Sequence, residues 1–466
     1  MSATALIAAR DFREFARDGR LLWTGGLIVV LLLTALAVGW QRQAALQAER
    51  VTAQALDYED WLAQPDRHPH EAAHQGMHVF QPEPPLSIID SGIAPYVGST
   101  LWLQTHQQSE TKFRPAQDAT GLQRFGTLSG AWVLQILGPL LVIILGFNAF
   151  AGEREQGTLR QVMSLGISAR SLLAGKALAL TWAMGILLLP AALVGGAAVL
   201  LQSDSSRLID TAARLVSFAL GYAAYIGIWI FVVLAVSARM RTSRLALIAL
   251  LGIWIASAVL LPRAISDLSD VAFPTPSRTE FNRALADDLA ETQRRVWVQE
   301  FGVDSAWSPD LPLSKWGIAL AKNDHAGYAV FDRHFGALWD TFERQRRAQE
   351  LSGLVAPTLA MRSFSMAMAG TDFAHHRDFA SSAEQHRRVI QDVVSADLVA
   401  NADTLDNVHF AYDADRSLWA KIPSFDYRTP SVGYAWQAGR LSAAVLLVTL
   451  LLAAAAAFAL TPRRPI

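Results

Sequence analysis

The apolar positions of this chain gather into six uninterrupted runs, approximately Leu21–Trp40, Leu128–Phe150, Ala177–Leu201, Leu215–Val236, Leu245–Leu261 and Leu441–Leu460. A bilayer core about 30 Å thick takes roughly 20 helical residues to cross, and each run comes close to that length. None contains Asp, Glu, Lys, Arg or His. Buried helices of soluble proteins are usually shorter and amphipathic, so the pattern predicts six membrane spans.

Polar segments complete the picture. Residues 1–20 intersperse Leu6, Ile7, Phe12 and Phe15 with charges, which predicts a short helix lying in the membrane interface. Two long hydrophilic stretches, 41–127 and 262–440, separate the spans. In the second, Phe281–Phe301, Ala329–Leu351 and Ser381–Leu398 show helical apolar spacing. The first is rich in turn signals, with Gln81-Pro-Glu-Pro-Pro85 and Asp90-Ser-Gly92, and its fold stays open. The expected fold is an all-α membrane protein: six spans, an interfacial N-terminal helix and a mainly helical extracytoplasmic domain built from two insertions. Residues 128–261 would hold four spans, 441–460 the last, and 461–466 a tail.

Basic residues orient the chain. Arg10, Arg13, Arg17 and Arg20 precede the first span, and Arg154, Arg160, Arg170 and Lys176 follow the second. Arg239, Arg241 and Arg244 follow the fourth, and Arg463 and Arg464 lie in the tail. With six spans all of these fall on one side, which the excess of Lys and Arg in short inner loops makes cytoplasmic. The expected location is the bacterial inner (cytoplasmic) membrane, with both termini inside. Ala35-Leu36-Ala37 has the small-x-small form of a signal cleavage site, but the 20-residue arm before the apolar run reads as part of a retained anchor.

Composition then narrows the function. Hydrophobic residues make up 52% of the chain against 17% charged, the net charge is −1, and cysteine is absent. That excludes disulfides, thiolate metal sites and cysteine nucleophiles, and it argues against a generally basic nucleic-acid binder. The absence of ionisable residues inside the runs argues against a carrier driven by protons on intramembrane acids.

The most informative stretch follows the second run: Phe150-Ala-Gly-Glu-Arg-Glu-Gln-Gly-Thr-Leu-Arg-Gln-Val-Met-Ser-Leu-Gly-Ile-Ser, continuing to Gly175-Lys176. Glu153 and Glu155 precede a turn at Gly157. Thr158 can cap a helix through Leu159, Val162 and Met163, and Ser168 can start the next. The acidic-basic-acidic cluster, the Gly-Thr pair, the apolar helix and the Gly-Lys pair resemble the coupling region of ABC type-2 exporter permeases. The resemblance implies that Glu153, Arg154, Glu155, Gly157, Thr158 and Arg160 belong to the element that meets the ATPase. It also implies pairs of permease subunits, identical or different, working in membrane lipid with ABC ATPase subunits. No G-x-x-x-x-G-K-[ST] phosphate loop is present, Ala174-Gly175-Lys176-Ala177 lacking both the earlier Gly and the hydroxyl. ATP and its Mg²⁺ therefore belong to a separate subunit, and the chain is not expected to be an enzyme.

The long hydrophilic stretches depart from the plain family form. Leu311-Pro-Leu313 and Ala356-Pro-Thr-Leu-Ala-Met-Arg-Ser-Phe-Ser-Met-Ala-Met-Ala-Gly-Thr-Asp-Phe-Ala-His-His-Arg377 resemble a branch with a large extracytoplasmic domain, whose relatives include permeases linked to copper-enzyme maturation and gliding motility. Two functions stay open: export, and mechanotransmission to a periplasmic partner without transport.

A histidine cluster raises a further question. His68-Pro-His70-Glu-Ala-Ala-His74-Gln-Gly-Met-His78 matches H-E-x-x-H at His70–His74. A zinc peptidase would need both rings on one helix face, Glu71 as base and a third ligand elsewhere; Pro69 and Gly76 leave only a short helix. A non-catalytic zinc or copper site on His70, His74 and His78 is the alternative, with His375 and His376 as further candidate ligands, against local hydrogen bonding as the commoner role.

Overall fold

The computed structural model describes residues 2–112, 114, 128–401 and 412–461. It is helical almost throughout, and among the described residues six helices are long and apolar enough to cross a membrane: Arg20–Leu62, Gly130–Glu155, Ala169–Leu201, Ser205–Arg239, Ser243–Ala272 and Val432–Leu460. The basic tail with Arg463 and Arg464 lies outside the described residues.

Helix α1 (Ala3–Arg17) starts where the Ser2 hydroxyl accepts from the Ala5 N–H, and it buries Ile7, Ala8 and Phe15. It packs on the third span, where Gly175 lets Ile7 approach closely; a Cβ on that glycine would sit 2.7 Å from the Ile7 side chain. The chain turns at Gly19 (φ 78°) and enters the first span at Arg20. We call this the basal face, and the opposite one distal.

The first span is a single helix of 43 residues, more than twice its apolar run. Gly25, Ile28, Leu32, Ala35 and Leu36 form its buried stripe, while Leu22, Trp23, Leu27 and Val30 face outward, as lipid-facing side chains do. After Trp40 the sequence turns polar but stays rich in Ala, Gln, Leu, Arg and Glu, strong helix formers that let the helix continue without a membrane around it. The fourth span is central, packed against the second, third and sixth.

Both hydrophilic stretches fold into one domain around a shared core that includes Trp61, Met77, Val79, Leu101, Trp316, Phe379 and Trp419. Trp61, near the end of the first long helix, donates its indole N–H to the Trp419 carbonyl at 3.1 Å, and the two rings meet edge to face. The first stretch contributes helix α2 (Pro69–Gln75) and an antiparallel pair, β1 (Met77–Phe80) with β2 (Thr100–Leu103), Met77 opposite Leu103. The second contributes α4 (Arg278–Val296), α5 (Leu313–Leu351), α6 (Pro357–Ala369) and α7 (Phe373–Asn401). Between the second and third spans, the short helix α3 (Thr158–Ser164) lies at the basal face.

Helix α6 is the unexpected element. It is mostly buried, with Met361, Phe364, Ala367 and Met368 wedged between the fourth and sixth spans. Gly221 and Gly439 make the room, since a Cβ at Gly221 would stand 2.4 Å from the Phe364 ring. Its polar groups are satisfied within the bundle. Tyr225 donates to the Gln135 carbonyl (2.8 Å) and meets Thr358 Oγ1 (3.0 Å), and the Gln135 amide donates to Tyr222 (2.9 Å). In the last turn of α5, the buried Glu350 accepts from Ser442 of the sixth span at 2.8 Å and is ion-paired to Arg346.

Candidate functional site

The loop singled out in the sequence divides into an inner and an outer face. Ala151–Glu155 forms a last helical turn after the second span, Gly157 takes φ +75° and starts α3, and Gly166 (φ +77°) turns the chain toward Ser168. The Ser168 hydroxyl caps the third span by accepting from the Ser171 N–H at 3.0 Å. Thr158 is the first residue of α3 rather than its cap; its hydroxyl donates back to the Glu153 carbonyl at 3.2 Å.

The acidic-basic-acidic cluster points mainly inward. Glu153 is 8% exposed, and its carboxylate lies 2.9 Å from Lys176 Nζ and 3.3 Å from Arg10. Lys176, equally buried, also holds Asp11 of α1 at 3.0 Å. The Arg154 guanidinium donates to the carbonyls of Ala238 (2.7 Å) and Met240, so a cation neutralises the C-terminal end of the fourth span. Glu155, itself exposed, accepts from Ser243, the first residue of the fifth span, at 2.6 Å. These three charges join the basal ends of α1 and four spans.

The outward face of the loop is made instead by Gly157, Arg160, Gln161, Ser164, Leu165 and Gly166, all exposed. Leu165 is 79% exposed. Leu159 is buried on the bundle core, with Val162 and Met163 packed partly against it. An inner staple and an exposed outer face thus share one motif, and the exposed part was the less conspicuous in the sequence.

The histidines are sorted by the fold. Pro69 starts α2 and Gly76 ends it, and between them His70 and His74 share a face with their Nε2 atoms 3.3 Å apart. His78 lies elsewhere: on β1 it pairs with Asp57 at 2.7 Å and stacks on Trp102. Its place beside His70 and His74 is taken by His106, in the loop after β2. His375 is bonded to Asp372, and His376 to Gln81 at 3.2 Å, so neither joins the group. Glu71 is exposed. His106 and its partner Asp324 carried no local spacing that could have marked them.

The sequence family described as ABC-2 family transporter protein matches residues 5–304, which span α1, the first five candidate spans and the start of the second hydrophilic stretch. The chain belongs to this family. It is a multi-pass membrane protein and the transmembrane subunit of an ABC transporter, and family membership implies ABC ATPase partners. Residues 275–428 match a domain of unknown function, DUF3526, which overlaps the ABC-2 match and covers α4 to α7. No curated protein matches the chain.

Proposed function

We propose that this ABC-2 subunit is the permease of an exporter in a bacterial inner membrane, with its termini in the cytoplasm. A separate ATPase docks on the basal surface around Gly157–Gly166. The observation that supports this reading is the pairing of an exposed helix with the buried Lys176–Glu153–Asp11 cluster and the Arg154 cap. A push on α3 is transmitted to α1 and four spans together, because the charges that bind them leave little slack. ATP and Mg²⁺ act on the ATPase side, and the permease works beside a second subunit. Near the distal end of the bundle, a cleft of about 850 Å³ lined by Arg50, Glu83, Asp204, Arg207 and Asp210 is roomy enough for an amphipathic or envelope-bound substrate.

Reporter fusions test the orientation: Asp57 and Asp340 should report the outside, Glu155 and Arg241 the inside. Co-purification with the ATPase, with stimulated hydrolysis in nanodiscs, tests the docking. An outside signal at Glu155 would overturn the whole reading.

A second reading, mechanotransmission to a periplasmic partner, is favoured by the continuity between bundle and distal domain. The first helix runs unbroken from basal Arg20 to the Trp61–Trp419 contact, and Glu350–Ser442 ties α5 to the sixth span. Reconstitution separates the two: a substrate that accumulates across the membrane on ATP hydrolysis supports export, and hydrolysis-dependent work on a distal partner without transport supports the alternative.

A further inference from the structure

We propose that His70, His74 and His106 form a transition-metal site, with Zn²⁺ as the fitting ion, that fastens α2 to the loop after β2 within the distal domain. Their ligand nitrogens all lie within 4.8 Å of one another. Two nitrogens bound to a tetrahedral zinc at 2.0–2.1 Å stand about 3.3–3.4 Å apart, which matches the 3.3 Å between His70 Nε2 and His74 Nε2. The i, i+4 spacing on α2 gives both rings one direction, and three protein ligands leave a fourth position for water or a partner's donor.

The supporting shell has the chemistry of a metal site. His106 Nδ1 lies 2.7 Å from Asp324 Oδ1, a contact that puts the ring proton on Nδ1 and leaves Nε2 with its lone pair for an ion. Asp324 is only 5% exposed, and its other oxygen accepts from Gln391 at 2.6 Å. Gln391 in turn accepts from Thr105, next to His106. This chain of contacts runs from α7 through α5 to the loop of the first stretch, so His106 is held by α5, 218 residues away in sequence, while an ion would join it to α2.

Two further observations agree. His106 (φ 63°) is the only non-glycine with positive φ among the described residues, a conformation that costs energy and is held where the surroundings demand it. Nitrogen donors without carboxylate or carbonyl ligands select zinc and its neighbours over Mg²⁺ and Ca²⁺. His74 is exposed and gives an ion a path in from solvent.

The site is independent of the export reading and is tested on the purified full chain in detergent, stripped with chelator and titrated with ZnCl₂ against a chromophoric competitor. Wild type should bind about one Zn²⁺ per chain and gain thermal stability on binding, with no such gain from MgCl₂. His74→Ala and His106→Ala should each weaken binding at least about 100-fold, and Asp324→Asn by about 10–100-fold through loss of ring orientation. His78→Ala should bind as wild type. Because His74 is exposed, its variant keeps the fold if His106→Ala does not. Failure of wild type to bind stoichiometric zinc, or unchanged affinity in His74→Ala, would overturn the site, and in either case His70 and His74 are a hydrogen-bonded pair only.

Discussion

Lys176 Nζ sits 2.9 Å from Glu153 Oε1 where both side chains are almost fully buried, so a lysine on the third span and a glutamate after the second neutralise each other away from water. Removing one member leaves an uncompensated buried charge, which typically costs about 3–5 kcal/mol. Lys176→Met should therefore lower the melting temperature markedly in detergent. Arg160→Glu on the exposed face should stay within about 0.5 kcal/mol of wild type while weakening ATPase association. The pair separates staple from docking surface: a stable Lys176→Met, or an Arg160→Glu that still binds and stimulates the ATPase fully, would contradict the division.

Gly157 has φ +75° and open space where a Cβ would go, so a substitution there is opposed by backbone conformation alone. Gly157→Val should cost about 1–2 kcal/mol locally and reorient α3, whereas Gly157→Asn, which tolerates the left-handed region, should keep near-normal ATPase stimulation. Equal stimulation by all three proteins would show that the direction of α3 does not matter.

At Gly221 the constraint is packing rather than conformation. A methyl group would collide with the Phe364 ring of α6, and overpacking of this kind costs about 1–3 kcal/mol. Gly221→Ala should loosen α6, detectable as faster hydrogen exchange in residues 357–369 with ATPase association intact. Unchanged exchange would mean that the bundle absorbs the extra volume elsewhere.

His376 bears on acid stability. It is buried, bonded to Gln81, and its pKa is depressed to about 4 by burial and then by the nearby Arg114. The unfolded chain takes this proton at about pH 6.5, so stability falls as pH drops from about 6.5 toward about 4, at up to about 1.4 kcal/mol per unit. Above pH 6.5 the group contributes no slope. His376→Gln should flatten the melting-temperature profile in that window, and a profile parallel to wild type would remove His376 as a cause.

The six spans were legible because membrane crossing demands an apolar run of fixed length, a requirement no neighbour in the fold can relax. What lay beyond each run was less visible. The continuation of the first helix through Gln41–Leu62 carries helix-forming residues but no membrane signature, so the fold of that segment stayed open. Helix α6, Pro357–Ala369, is too short to register as a span, and its burial depends on spans more than 60 residues away in sequence. In the coupling motif the residue types were conspicuous but their direction was not: no spacing indicated that Glu153 turns inward against Lys176. His106 became a neighbour of His70 only through the β1–β2 hairpin and α2, which no spacing rule encodes.

Continuity of the first helix gives one more test of mechanism. Ala45 is exposed in the polar half of the Arg20–Leu62 helix, so Ala45→Pro would break the helix without disturbing a core contact. Under mechanotransmission this variant should keep ATPase stimulation and lose distal work; under export it should keep both hydrolysis and transport.

The same helix also sets a scale for movement. Forty-three residues at 1.5 Å each make a rod about 65 Å long, and a tilt of about 10° pivoting at Arg20 would swing its Trp61 end through about 11 Å. Small rotations at the basal face are thereby magnified into displacements the size of a side-chain pocket or a protein loop. Under mechanotransmission the rod would be a lever arm, converting a short, forceful stroke into a long and gentler one.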